Sequence, residues 1–162
     1  MIKFIAKILP CDQPAQSGDL IPRPVLMSYL NSPQCKDRLE KGLITGGMTH
    51  FSRKTFKEGI PDADQILFDG NMFFKATKLW MEGNFLMAEF LVFEDLSFQG
   101  EMQNAYNTFI TMLKNGIRPP VSSCIRAFWD NNVCKEIQFL RGVDVTLQPG
   151  FVGSEITKII IT

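Results

Sequence analysis

The chain has 162 residues, 45% of them apolar and 21% charged, a balance that fits one globular domain over 1–162 and excludes a disordered or fibrous chain. A chain of this length can bury roughly 69% of its unfolded surface, enough to fold without disulfides or a structural metal. Lys+Arg 17 and Asp+Glu 17 cancel, which removes the net basic charge that holds nucleic acid, and charged residues interrupt every apolar run well before the ~20 residues that span a bilayer.

In chain order, Ile2, Phe4, Ala6 and Ile8 alternate with other residues and predict a strand over about 2–9. Lys7 breaks the apolar centre that a signal peptide needs, so the protein is expected to stay in the compartment where it is made. A helix opens near Pro24 with Val25, Leu26, Tyr29 and Leu30 on one face, and a second runs from Pro33 to a stop at Gly42. From Gln65 to Phe93 the pattern is extended and rich in aromatics. Met81-Glu82-Gly83-Asn84 forms a turn between strands near 71–80 and 85–93.

Helical period returns over 101–115, with Met102, Ala105, Tyr106, Phe109, Ile110 and Leu113 on one side and Asn115-Gly116 as the stop. Strands follow at 121–128, 136–145 and 155–161. Few helices intervene between strands, so the expected fold is α+β but mainly β: an antiparallel sheet curled or closed into a barrel with a few helices around it. Cys11, Cys35, Cys124 and Cys134 lack CxxC spacing, and neither disulfide, zinc nor any other cofactor is expected.

Three stretches carry side chains suited to chemistry. His50 is the lone histidine, so any mechanism that uses an imidazole must use it. The glycines of Gly46-Gly47-Met48-Thr49 before it suit close backbone approach or an ordinary turn. In Pro119-Pro120-Val121-Ser122-Ser123-Cys124, period-two alternation puts Ser122 and Cys124 on one strand face and Ser123 on the other. A serine becomes nucleophilic beside a base, and otherwise such a pair merely starts a strand. In Leu140-Arg141-Gly142-Val143-Asp144, Asp144 is an acid within an apolar strand segment, read either as the partner of a catalytic imidazole or as a turn cap.

Taken together, these stretches resemble the prohead (capsid-maturation) proteases of tailed phages, particularly the T4 type. Gly18-Asp19-Leu20-Ile21-Pro22-Arg23-Pro24-Val25-Leu26 is similar to that family's N-terminal segment, and Leu43-Ile44-Thr45-Gly46-Gly47-Met48-Thr49-His50 to its histidine motif. Val121-Ser122-Ser123 is similar to its G-V-S-S-R, Gly142-Val143-Asp144 to its G-V-D, and Leu79-Trp80-Met81-Glu82-Gly83-Asn84 to its W-x-x-G-n turn. The resemblance covers about 18 to 156, with 72 residues from His50 to Ser122 and 22 from Ser122 to Asp144.

The resemblance implies a herpesvirus-protease-like barrel and a serine endopeptidase in which Ser122 is nucleophile, His50 its base and Asp144 the third member. The backbone N–H of Ser123 is an expected oxyanion donor. It implies phage scaffold and major capsid proteins as substrates, self-cleavage, a homo-oligomer, and action inside the prohead assembled in the bacterial cytoplasm, with neither nucleic acid nor membrane as partner. Two departures stand out: Phe51 replaces the proline after the histidine, and Cys124 replaces the arginine after the serine pair. The second keeps a Cys124-dependent hydrolase open as an alternative, with Arg126 as a partial substitute for the lost charge. The other alternative is an inactive capsid or scaffold component of the same fold.

Overall fold

The computed structural model describes residues 1–48, 72–98, 101–146 and 151–162. Strand β1 (Ile2–Pro10) is followed by helices α1 (Arg23–Leu30) and α2 (Pro33–Glu40), then by a two-residue strand β2 (Thr45–Gly46). Strands β3 (Phe74–Glu82) and β4 (Phe85–Val92) form the first hairpin. Helix α3 (Glu101–Lys114) leads to the second hairpin, β5 (Val121–Asp130) and β6 (Val133–Val145), and β7 (Glu155–Ile161) ends the chain. The seven strands of the described residues join one sheet in the order β5-β6-β2-β3-β4-β1-β7, antiparallel except where β2 runs parallel to β6.

The mainly β expectation therefore holds, and local chemistry explains most boundaries. Pro24 sits in the first turn of α1, where a missing N–H is no loss. Ser32 caps α2 by accepting the Cys35 N–H at 3.2 Å, and Gly42 leaves that helix with a left-handed φ of 70°. Gly83 at φ 61° turns the first hairpin and Asn131 at φ 54° the second. The second hairpin is longer than its predicted parts, since β6 begins at Val133 rather than 136.

Alternation along β1 sends Ile2, Phe4, Ala6 and Ile8 to the buried face. There the Phe4 ring lies 5.0 Å from both Phe74 of β3 and Phe90 of β4. Phe109 of α3 closes over the same rings, at 6.0 Å from Phe4 and 5.5 Å from Phe74. These rings are thus spent on packing, whereas Phe128 and Trp129 at the tip of the second hairpin are exposed.

The sheet curls until its two edges meet at one end. Pro120, just before β5, bridges Glu155 of β7, and the Val121 N–H donates to the Ser154 carbonyl at 3.1 Å. Both flanking side chains, Val121 and Ile156, are buried, so the junction is part of the core. That contact fixes where β5 begins, and with it Ser122.

Candidate functional site

Ser122 is the second residue of β5, and its opposite number on β6 is Asp144. Directly opposed residues of an antiparallel pair share a face, with Cβ atoms about 4.5–5.5 Å apart. The ladder continues with Ser123 opposite Val143 and Cys124 opposite Gly142. Val121, Val143 and Val145 are buried on the core side, which places Ser123 on that side and sets Ser122, Cys124 and Asp144 on the other. The alternation read from the sequence is the alternation in the sheet.

Past Cys124 the register slips: Ile125 opposes Leu140, so Arg141 has no opposite residue and forms a β-bulge. Gly142 next to it takes a φ of 149°, a backbone region open in practice to glycine alone. In a regular strand Arg141 and Asp144 would point to opposite faces. Through the bulge they meet, with Arg141 Nη1 3.1 Å from Asp144 Oδ1 and 3.2 Å from Oδ2. Arg141 is fully buried and the Asp144 side chain is 17% exposed. Asp144 is therefore a mid-strand acid in an ion pair, not a turn cap.

Arg141 is the residue that sequence reasoning left without a role. A single glycine inside a strand pattern signals a bulge, and Arg141-Gly142 carried that signal. The guanidinium beside the serine strand comes from Arg141, whereas Arg126 is exposed further along β5, opposite Phe139. Burial pushes the Cys124 thiol above its ordinary value; Arg141 opposes that shift and Asp144 adds to it. A thiol so shifted is a poor source of thiolate at neutral pH.

Two further elements fix the bulge. Tyr29 of α1 accepts the Leu140 N–H through its hydroxyl at 2.8 Å in a buried bond, and burial raises the pKa of that phenol well above its usual range. Strand β2 presses against β6 where Thr45 pairs with Gly142. A Cβ on Gly142 would lie 1.5 Å from the Thr45 carbonyl oxygen, and one on Gly46 would lie 1.6 Å from the Val143 carbonyl oxygen. Gly46 serves close approach rather than a turn. One residue later, the Gly47 carbonyl accepts the Val145 N–H at 2.8 Å.

His50 and Phe51 lie outside the described residues, as does the Gln148-Pro149-Gly150 segment after Asp144. Among the described residues no group of three or more His, Cys, Asp or Glu is arranged to hold a metal ion. No helix there is long and apolar enough to cross a membrane.

A curled, mainly β sheet with a serine and an ion-paired aspartate face to face on neighbouring strands is the class of structure these residues define. No known family model matches the chain, and no curated protein matches it. Among solved structures it is similar to the bacteriophage T4 capsid assembly protease gp21, at a TM-score of 0.49 and 13% identity, over 95% of this chain and 79% of that one.

Proposed function

We propose that the protein is a serine endopeptidase of phage prohead maturation that cleaves scaffold and capsid proteins, with Ser122 as nucleophile, His50 as base and Asp144 as third member. The observation that carries this reading is the pairing of Ser122 with Asp144 across the β5–β6 ladder, beside the point where the Gly47 carbonyl is tied to Val145. His50 is the only imidazole in the chain and lies three residues after Gly47 in sequence, so it is the base assigned here. The substrate class is what the resemblance to the prohead proteases implies.

In this mechanism the Ser122 hydroxyl oxygen attacks the scissile carbonyl carbon while its proton passes to His50. Backbone N–H groups, that of Ser123 among them, hold the resulting oxyanion. The tetrahedral centre then collapses, the C–N bond breaks, and the proton on His50 leaves with the amine. Water, deprotonated by His50, releases the acyl group and restores Ser122. Asp144 orients the imidazole and balances its positive form. The raised thiol of Cys124 argues against the cysteine alternative.

The test is to incubate the purified protein with a serine-directed fluorophosphonate, map the adduct by mass spectrometry, and follow scaffold protein in the same preparation. An adduct on Ser122 that stops scaffold cleavage is expected. Cleavage that persists in Ser122→Ala protein would sink the assignment.

A further inference from the structure

We propose that Arg141 is a positioning residue of this site: delivered by the Gly142 bulge, which Tyr29 anchors through the Leu140 N–H, its guanidinium holds the Asp144 carboxylate in place opposite Ser122. The inference rests on the serine-protease reading and adds a residue and a structural device to it.

Arg141 is fully buried, and burying a guanidinium is costly unless a charge answers it. Its Nη1 lies 3.1 and 3.2 Å from the two oxygens of Asp144, so one N–H-bearing nitrogen spans the carboxylate and restrains its rotation. Three separate features of the fold make that contact possible. The bulge reverses the side to which Arg141 points. Gly142 supplies the φ of 149° and leaves room for the Thr45 carbonyl, which any side chain would strike. Tyr29, from a helix remote in sequence, takes the Leu140 N–H immediately before the bulge, so the strand cannot relax to regular pairing without giving up a buried hydrogen bond.

The same arrangement explains why Cys124 is tolerated beside Ser122. Cys124 opposes Gly142, and the guanidinium that reaches this part of the face crosses from the neighbouring strand. A cation thus acts on Cys124 and Asp144, on the two strands that carry the site, although none follows the serine pair in sequence. A buried ion pair adds little net stability against an apolar replacement, so its value here lies in fixing geometry.

The experiment measures fluorophosphonate inactivation of full-length wild type, Arg141→Met, Arg141→Lys, Asp144→Asn and the Arg141→Met/Asp144→Asn double variant, each at a temperature where circular dichroism shows it folded. For Arg141→Met, the limiting inactivation rate is expected to fall about 100-fold, the scale of a misplaced reacting group, with half-saturation unchanged. Arg141→Lys, which keeps the charge but loses the planar fork, should recover to within about tenfold of wild type. The double variant should react no more slowly than Asp144→Asn, because without the carboxylate Arg141 has nothing to position.

If Arg141→Met reacts at the wild-type rate, or if the two single effects multiply in the double variant, the positioning role falls while Ser122 labelling leaves the protease reading intact. If wild type takes no label, the protease reading falls and the role with it. Should Arg141→Met not fold, Tyr29→Phe answers the question: a slower limiting rate in folded protein supports the device, and an unchanged rate overturns it.

Discussion

Ser122 and Asp144 stand opposite each other in the β5–β6 ladder, while Ser123, one residue on, pairs with buried Val143 on the other face. Two adjacent hydroxyls are thus assigned to different environments by the pleat alone. Ser122→Ala is expected to lower turnover of scaffold protein by about 10³-fold or more, as loss of a nucleophile does. Ser123→Ala should keep activity within about threefold of wild type and change stability by less than about 1 kcal/mol. A gel-based cleavage assay with the two purified variants decides it: an inactive Ser123→Ala beside an active Ser122→Ala would exchange the roles.

The crossing of β2 and β6 leads to a prediction about stability rather than chemistry. A methyl group on Gly142 would sit 1.5 Å from a backbone oxygen, and neither strand can move without disturbing the sheet on both sides. Gly142→Ala and Gly46→Ala should each cost about 4 kcal/mol or more, the range reserved for severe packing and backbone faults. At the hairpin residue Gly83 an added Cβ meets nothing within 4 Å, so only its φ of 61° resists substitution. Gly83→Ala should therefore cost about 1–2 kcal/mol. Urea midpoints for the three variants test the ranking, and a Gly142→Ala protein as stable as Gly83→Ala would refute the close-approach account.

Much of this fold was legible because its strands alternate cleanly. Ile2, Phe4, Ala6 and Ile8 announce both β1 and its buried face, and the proline openings of α1 and α2 and the turn at Gly83 are equally local signals. What escaped was set by contacts between distant segments. Thr45–Gly46 is too short to display any period, and becomes a strand only because β3 and β6 flank it. The tight joining of β5 to β6 depended on Asn131 accepting a left-handed φ, a weaker signal than Asn-Gly. At the site, strand parity gave the faces of Ser122 and Cys124. That same parity concealed Arg141, since a regular strand would have pointed it away from Asp144 and only the bulge reverses it.

Cys124 provides a way to separate serine from cysteine chemistry. Its thiol is pushed up by burial, with Arg141 pulling the other way without prevailing, so the neutral thiol dominates near pH 7. Cys124→Ala should retain protease activity within about fivefold, a loss attributable to packing beside Arg141. Alkylation of Cys124 by iodoacetamide, followed by peptide mass spectrometry, should be slow at pH 7 and accelerate only at higher pH than a free thiol of ordinary pKa requires. Fast alkylation at neutral pH accompanied by loss of cleavage would restore the cysteine alternative.

Far from the site, Glu89 makes the fold sensitive to acid. This carboxylate lies on the face of β4 away from the aromatic core, 11% exposed in its side chain, 3.0 Å from the Thr77 hydroxyl, 3.4 Å from Lys3 Nζ and 4.0 Å from Lys78 Nζ. Burial by itself raises its pKa, but the Thr77 hydrogen bond and the two ammonium groups outweigh that and leave it lowered. Because the folded value lies below the unfolded one of about 4.3, Glu89 stabilises the protein fully above that pH, and the contribution disappears as pH falls through the folded value. Glu89→Gln should be less stable than wild type at pH 7, and the gap in urea midpoint should close as the pH is taken from 5 to below the folded pKa. Equal midpoints for the two proteins at pH 7, or a gap that widens in acid, would show that the lysines and Thr77 do not favour the charged form.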